Sequence, residues 1–259
     1  MWSSSCRRRA RRRLAASVAA LTVAAGCGGG ASGSVLEVFA AASLTEALTA
    51  LAPGFEAAHP GTDVRFNFAG SSALARQVVE GATADVVVTA DQATMAGLVE
   101  EGHVDAPQVV ARNRLAIVVA RGNPEQLRGL VDLARPGLTV VVCAAEVPCG
   151  RLAAAALLRA GVVVEPASVE ENVKAVVARV TLGEADAGLA YASDVVAAGN
   201  RFAAVPLGSG LADDPALQAV YPMAVTVAAR RRGLARAFVD HVASPAGRRA
   251  LGAAGFVVP

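Results

Sequence analysis

An α/β fold built on mostly parallel sheets is predicted by three features of this 259-residue chain. Short apolar runs alternate with longer alanine-rich stretches of helical period, the pattern of strands joined by crossover helices. No repeat of fixed period is present, which excludes a solenoid. Hydrophobic residues make up 54% of the chain, enough to fill a substantial core. Strands are expected at 35–40, 63–68, 86–90, 115–120, 139–143, 187–191 and 221–227. Helices are expected at 44–59, 73–80, 92–101, 150–160, 172–182 and 233–241. The first helix carries Ser43-Leu44-Thr45-Glu46, a capping-box pattern, and stops before Pro60-Gly61.

The first 26 residues read as a signal peptide rather than as part of the fold. Six arginines (Arg7, Arg8, Arg9, Arg11, Arg12, Arg13) precede an apolar run at 14–25. That run is about 12 residues long, whereas a membrane-spanning helix needs about 20. Ala24-Ala25-Gly26-Cys27 resembles the lipobox of bacterial lipoproteins, which makes Cys27 the expected lipidation site and 27–34 a lipidated linker. The expected location is the outer face of the cytoplasmic membrane, on the periplasmic side. Sec and twin-arginine export both remain open.

Loss of the six arginines takes the formal charge from +2 to about −4. Only Arg230-Arg231-Arg232 and Arg248-Arg249 remain as short basic runs, and these read as solvated helix faces. The mature chain therefore lacks the basic stripe of a nucleic-acid binder, and no nucleic-acid partner is expected. Two cysteines besides Cys6 and Cys27 remain, Cys143 and Cys149. Their six-residue separation in an oxidising compartment permits a disulfide, with two packed thiols as the alternative.

Four strand ends lead into small or hydroxylated residues that open a helix: Ala41-Ala42-Ser43, Ala69-Gly70-Ser71-Ser72, Val147-Pro148-Cys149-Gly150 and Glu171-Asn172-Val173. A helix N-terminus carries unpaired amide donors and partial positive charge, so it binds anions without lysine or arginine. Each feature taken singly is better explained by helix capping, with Ser43 and Ser71 as N-caps and Pro148 at the first helical position. Asp85, Asp91 and Asp194 read as turn or cap residues, since a carboxylate would repel an anion. His59, His103 and His241 are isolated and read as surface residues.

The stretch Val38-Phe39-Ala40-Ala41-Ala42-Ser43-Leu44-Thr45-Glu46-Ala47-Leu48 resembles the opening motif of periplasmic molybdate-binding proteins. So do Phe68 through Gln77, Ala84 through Asp91, Gly188-Leu189-Ala190-Tyr191-Ala192-Ser193-Asp194, and Tyr221-Pro222-Met223-Ala224-Val225, all in the family's order. This resemblance implies a two-lobed periplasmic-binding-protein fold of type II, each lobe a mostly parallel sheet flanked by helices, with the ligand in the interlobe cleft. Lobe 1 is expected to comprise 34–112 plus 226–259 and lobe 2 to comprise 113–225, joined near 113–118 and 222–226. The implied molybdate ligands are the Ser43 and Ser71 hydroxyls and amides, the Cys149 and Val173 amides, and the Tyr191 hydroxyl. Family members often carry alanine where this chain has Cys149. The thiol there either crowds the anion or is tied back to Cys143.

The implied role is capture of molybdate, and of tungstate with it, for the membrane permease of an ABC importer. The protein is expected to act as a monomer without a cofactor, the oxyanion being cargo; another tetrahedral oxyanion such as sulfate is the alternative ligand. An enzyme would need an activated nucleophile or a metal centre. Ser71 lacks the G-x-S-x-G setting, and neither H-E-x-x-H nor a Cys/His cluster is present. A transcription regulator with the same two-lobed effector domain would carry a helix-turn-helix where this chain has its signal-like segment.

Overall fold

The computed structural model describes residues 33–208, 210–211 and 213–259. The expected signal peptide, Cys27 and most of the expected linker lie outside the described residues. Ser34, the last residue of that linker, already opens the first strand, where its N–H donates to Gly61 O at 2.6 Å.

Among the described residues nine strands form in order: β1 (Ser34–Ala41), β2 (Thr62–Ala69), β3 (Val86–Val88), β4 (Gln108–Ala120), β5 (Val140–Cys143), β6 (Ser168–Glu170), β7 (Ala187–Tyr191), β8 (Phe202–Val205) and β9 (Gln218–Val225). The helices are α1 (Thr45–Ala58), α2 (Ser71–Val79), α3 (Gln92–Glu100), α4 (Pro148–Ala160), α5 (Val173–Thr181), α6 (Ala192–Ala198), α7 (Arg232–Ala243) and α8 (Pro245–Ala253). Among the described residues no helix is long and apolar enough to cross a membrane.

The strands run along one path, β2-β1-β3-β9-β4-β7-β5-β6, with β8 also on β4. They fall into two sheets that share β4. Residues 108–114 of β4 pair with β9, and residues 115–119 pair with β7. Each sheet has a parallel portion, β2-β1-β3 in the first and β6-β5-β7 in the second. Among the described residues the antiparallel pairings between named strands all involve β4 or β9, the strands nearest the join. Strand β9 pairs with β3 and β4, both in the first sheet. Residues 218–225, expected in the second lobe, therefore belong with the first sheet, and the chain returns there ahead of β9 rather than at 222–226.

Local chemistry accounts for the elements. Val86, Val87 and Val88 are buried, as suits a short central strand of β-branched residues with helices on both faces. Helix α3 begins where Asp91 Oδ1 accepts from Thr94 N at 2.8 Å, and α5 where Asn172 Oδ1 accepts from Ala175 N at 3.1 Å. Helix α4 ends at Gly161, whose φ of 65° is left-handed. The unexpected elements are short: β6 has three residues, β8 four and α6 seven. Segments of that length do not develop a readable period. Helix α8, also unexpected, follows α7 directly after Ser244, whose hydroxyl accepts from Gly247 N at 3.1 Å, and Leu251 is its one large buried side chain.

The registers align the carboxyl ends of the parallel strands. Ala41 lies opposite Ala69, so the turn after β1 and the start of α2 share one edge. Cys143 lies opposite Glu170, so α4 and α5 begin from one edge of the second sheet. In α/β sheets such edges are where ligands bind.

Candidate functional site

Those edges face a single small cavity of about 20 Å³. It is lined from the first sheet by Ala41, Ala42, Ser43, Ala69, Gly70, Ser71 and Ala90, and from the second by Val147, Pro148, Cys149, Asn172, Val173 and Tyr191. All five residues expected to hold an anion are among them, as are residues of all four strand-to-helix junctions. One water-sized sphere occupies roughly 10–15 Å³ on this measure, so the cavity is on the scale of one compact ion.

No lining residue carries a charge. The positive potential comes from the first turns of α2, α4 and α5, whose leading N–H groups have no intrahelical carbonyl to bond. Three hydroxyls add to these amides. Ser71 Oγ accepts from Ala90 N at 2.9 Å, and Ser43 Oγ lies 2.8 Å from Tyr221 OH. The Tyr191 hydroxyl is fully buried and has no partner among the described residues. Burial, chiefly, pushes the Tyr191 phenol well above its ordinary pKa, so it stays protonated and able to donate.

The serines do not occupy the capping roles their sequence suggests. Ser43 sits within a 3-10 turn, Ala42–Leu44, and makes no cap bond; the residue preceding α2 is Gly70, not Ser71. Both hydroxyls are engaged by partners outside their own turns: Ser71 Oγ accepts there, which leaves its hydrogen for the cavity, whereas in the Ser43–Tyr221 contact either oxygen can be the donor. Pro148 does hold the first position of α4, and Asn172 caps α5.

Cys143 and Cys149 are joined as a disulfide with Cα atoms 5.7 Å apart. Sγ of Cys149 is thereby drawn back toward β5 while its backbone stays in the cavity wall. Closing so short a loop is worth about 2 kcal/mol in the chain-entropy account, and it ties the first turn of α4 to the end of β5.

Contacts between the two sheets' helices flank the cavity, and sequence reading missed them. Arg151 of α4 pairs with Asp91 at the start of α3, its Nε 3.0 Å from Asp91 Oδ2, and also reaches Thr94 Oγ1 at 3.0 Å. On the other flank, Lys174 Nζ of α5 lies 2.7 Å from Glu46 Oε2 of α1 and 3.0 Å from Asp194 Oδ1. Burial works to lower the Lys174 pKa, but the Asp194 and Glu46 carboxylates outweigh it and raise it. Asp194 also accepts from Tyr191 N at 3.1 Å, which fixes the backbone that presents the tyrosine. Asp85 is a buried clamp, accepting from Glu37 N at 2.9 Å and Arg230 N at 2.8 Å. The three histidines are half-buried and line no part of the cavity; His59 stacks on Phe55 and His241 packs edge-on against it. Among the described residues no group of His, Cys, Asp and Glu is arranged to hold a metal ion.

Comparison with known proteins places this architecture. Residues 36–257 match the family model described as bacterial extracellular solute-binding protein. The molybdate-binding protein ModA of Mycobacterium tuberculosis is 42% identical over 225 residues, which cover 86% of this chain and 84% of that protein. The structure superposes on the periplasmic molybdate-binding protein of Azotobacter vinelandii with a TM-score of 0.74 at 20% identity, covering 86% of this chain and 99% of that one. It matches the sulfate-binding protein SubI of M. tuberculosis equally well, with a TM-score of 0.75 at 20% identity and 86% of both chains covered. Fold alone therefore does not separate the two anions. Together, the family match and the identity to ModA show that this chain belongs to the bacterial extracellular solute-binding protein family, among the relatives of its molybdate-binding members.

Proposed function

We propose that the protein captures molybdate, and tungstate with it, outside the cytoplasmic membrane and delivers it to the permease of an ABC importer. The observation that carries this reading is the convergence of Ser43, Ser71, Cys149, Val173 and Tyr191 on one ion-sized cavity lined by no charged side chain. A dianion held by neutral donors is bound tightly when most of its oxygens are satisfied. Hydrogen bonds to a charged group contribute about 1.5–3 kcal/mol each, and about five of them exceed the roughly 8 kcal/mol of a micromolar complex. Molybdate is preferred over sulfate because the 42%-identical relative is a molybdate-binding protein, whereas the sulfate likeness is one of fold.

Thermal shift and calorimetric titration with molybdate, tungstate, sulfate and phosphate test this directly. Molybdate and tungstate should stabilise the protein strongly, sulfate weakly and phosphate not at all. Stabilisation by sulfate alone would sink the molybdate reading. Molybdate affinity should also be flat between about pH 6 and 9. Burial holds the Tyr191 and Tyr221 hydroxyls protonated past their ordinary range, and the cavity lining contains no carboxylate or imidazole to titrate within it. A break in affinity inside that window would show that a titrating side chain contacts the anion.

No catalytic step is part of this reading, and the protein acts as a monomer with the oxyanion as cargo. Anchoring is by lipid on Cys27, supported by the small residues before it and an apolar run too short to span a bilayer. Cell fractionation checks it: the native chain should sediment with membranes, and Cys27→Ser should appear in the soluble fraction. An unchanged distribution would dismiss the lipid anchor.

A further inference from the structure

The cavity's hydroxyls are connected to groups outside it, and the connections have a direction. Ser43 Oγ and Tyr221 OH are 2.8 Å apart. Asn113 Nδ2 donates to Tyr221 OH at 3.4 Å and to Ser193 Oγ at 2.7 Å. Asn113 Oδ1 accepts from Ser193 N at 3.4 Å, and because a backbone N–H can only donate, this contact sets which end of the amide faces Tyr221. All four residues are buried.

The direction then follows by elimination. Tyr221 oxygen receives a hydrogen from Asn113, and among the described residues Ser43 Oγ is the one other polar atom bonded to the Tyr221 hydroxyl, so the hydroxyl's own hydrogen finds an acceptor only by pointing to Ser43. Ser43 oxygen receives that hydrogen, so its single hydrogen is left for the cavity it lines. Ser71 is set the same way by Ala90 N–H.

We infer that Tyr221 and Asn113 are positioning residues that hold the Ser43 hydroxyl as a donor toward the bound oxyanion, so that selectivity against protonated oxyanions is set partly outside the cavity. The inference rests on the oxyanion reading above and assigns to Tyr221 and Asn113 a role in it. A fully deprotonated tetrahedral anion accepts from every donor. Hydrogen phosphate, the main phosphate dianion near neutral pH, must place its own O–H against an acceptor, and a hydroxyl held as a donor is a poor one. Without Tyr221's hydrogen, the Ser43 hydroxyl turns freely and receives such a proton as readily as it gives its own. Burial raises the Tyr221 pKa, so the relay keeps its hydrogen throughout the neutral range.

A double-mutant cycle measured by calorimetry tests this at pH 7. Tyr221→Phe keeps the ring, which packs edge-on against Phe256 at 5.3 Å, and removes only the hydroxyl. It should weaken molybdate about fivefold when Ser43 is present, the worth of one neutral hydrogen bond, and not at all in a Ser43→Ala background. The molybdate-to-phosphate affinity ratio should narrow in the single variant. Equal losses in both backgrounds would mean that Tyr221 supports the fold and not the serine, and would overturn the inference; so would no loss with Ser43 present. If Tyr221→Phe does not fold, Asn113→Ala carries the same cycle with Tyr221 intact. Failure of the native protein to bind molybdate defeats the molybdate reading instead. The cycle, run with whichever oxyanion does bind, then still decides the role of Tyr221, and binding of none defeats both.

Discussion

Gly70→Ala is expected to weaken molybdate binding by 100-fold or more while leaving the ligand-free protein folded. Gly70 precedes α2 with φ −61° and ψ 136°, a conformation alanine adopts without strain. The obstacle is the opposite wall. A Cβ on Gly70 would stand 2.6 Å from Glu171 O, a backbone atom at the start of α5 in the second sheet, and 3.7 Å from Asn172 Cβ. The walls must then separate by several tenths of an ångström. Donors on both walls have to reach one small anion, so the added gap lengthens several hydrogen bonds together. Loss of two charge-assisted bonds at about 1.5–3 kcal/mol each corresponds to two orders of magnitude or more. Calorimetric titration checks the affinity, and the melting temperature without ligand should stay within about 2 °C because the clash is relieved by parting the walls. A loss below tenfold would show that the bound form does not keep Gly70 against Glu171.

Gly150→Ala should act on stability instead. A Cβ there would lie 1.9 Å from Ala144 O, 2.5 Å from Ala144 C and 2.7 Å from Cys143 O, all main-chain atoms. The 143–144 segment cannot swing aside. Ala144 N donates to Glu170 O at 2.8 Å, Val147 N donates to Ala144 O at 3.1 Å, and the disulfide ties Cys143 to Cys149. Forcing a methyl group into that space should cost about 3 kcal/mol or more, at or beyond the upper end of overpacking penalties. For a chain of this size the melting temperature should fall by about 6–12 °C. Molybdate affinity should drop as well, since the first turn of α4 presents the Cys149 amide. A melting temperature within 2 °C of the native value would mean that α4 shifts freely, contrary to the packing described.

Much of the fold was legible because the long elements declare themselves. The apolar stretches that became β1, β3, β5 and β7 are largely buried runs, and α1 through α5 sit within two residues of their expected limits. Most of the cavity wall was legible too, because helix N-termini at strand ends are a local pattern. Strand β4 was half missed. Its first part, Gln108 to Arg114, alternates buried Val110, Ala111 and Asn113 with exposed Arg112 and Arg114, and its apolar face is short. Nothing local reveals that this segment continues into Leu115 and joins two sheets.

The sequence by itself determined the α/β class, the order of the long elements, and the strand-to-helix turns whose neutral donors line the cavity, since each depends on residues adjacent in the chain. Only the tertiary structure decided how that site is supported. Ser43 meets Tyr221 across 178 residues, Arg151 meets Asp91 across 60, and Lys174 meets Glu46 across 128. The pairing of Cys143 with Cys149 was likewise open until the end of β5 and the first turn of α4 were seen 5.7 Å apart at their Cα atoms. Polar side chains advertise hydrogen-bonding capacity but not its destination. When the partner lies on another strand or helix, the packing of the sheets chooses it.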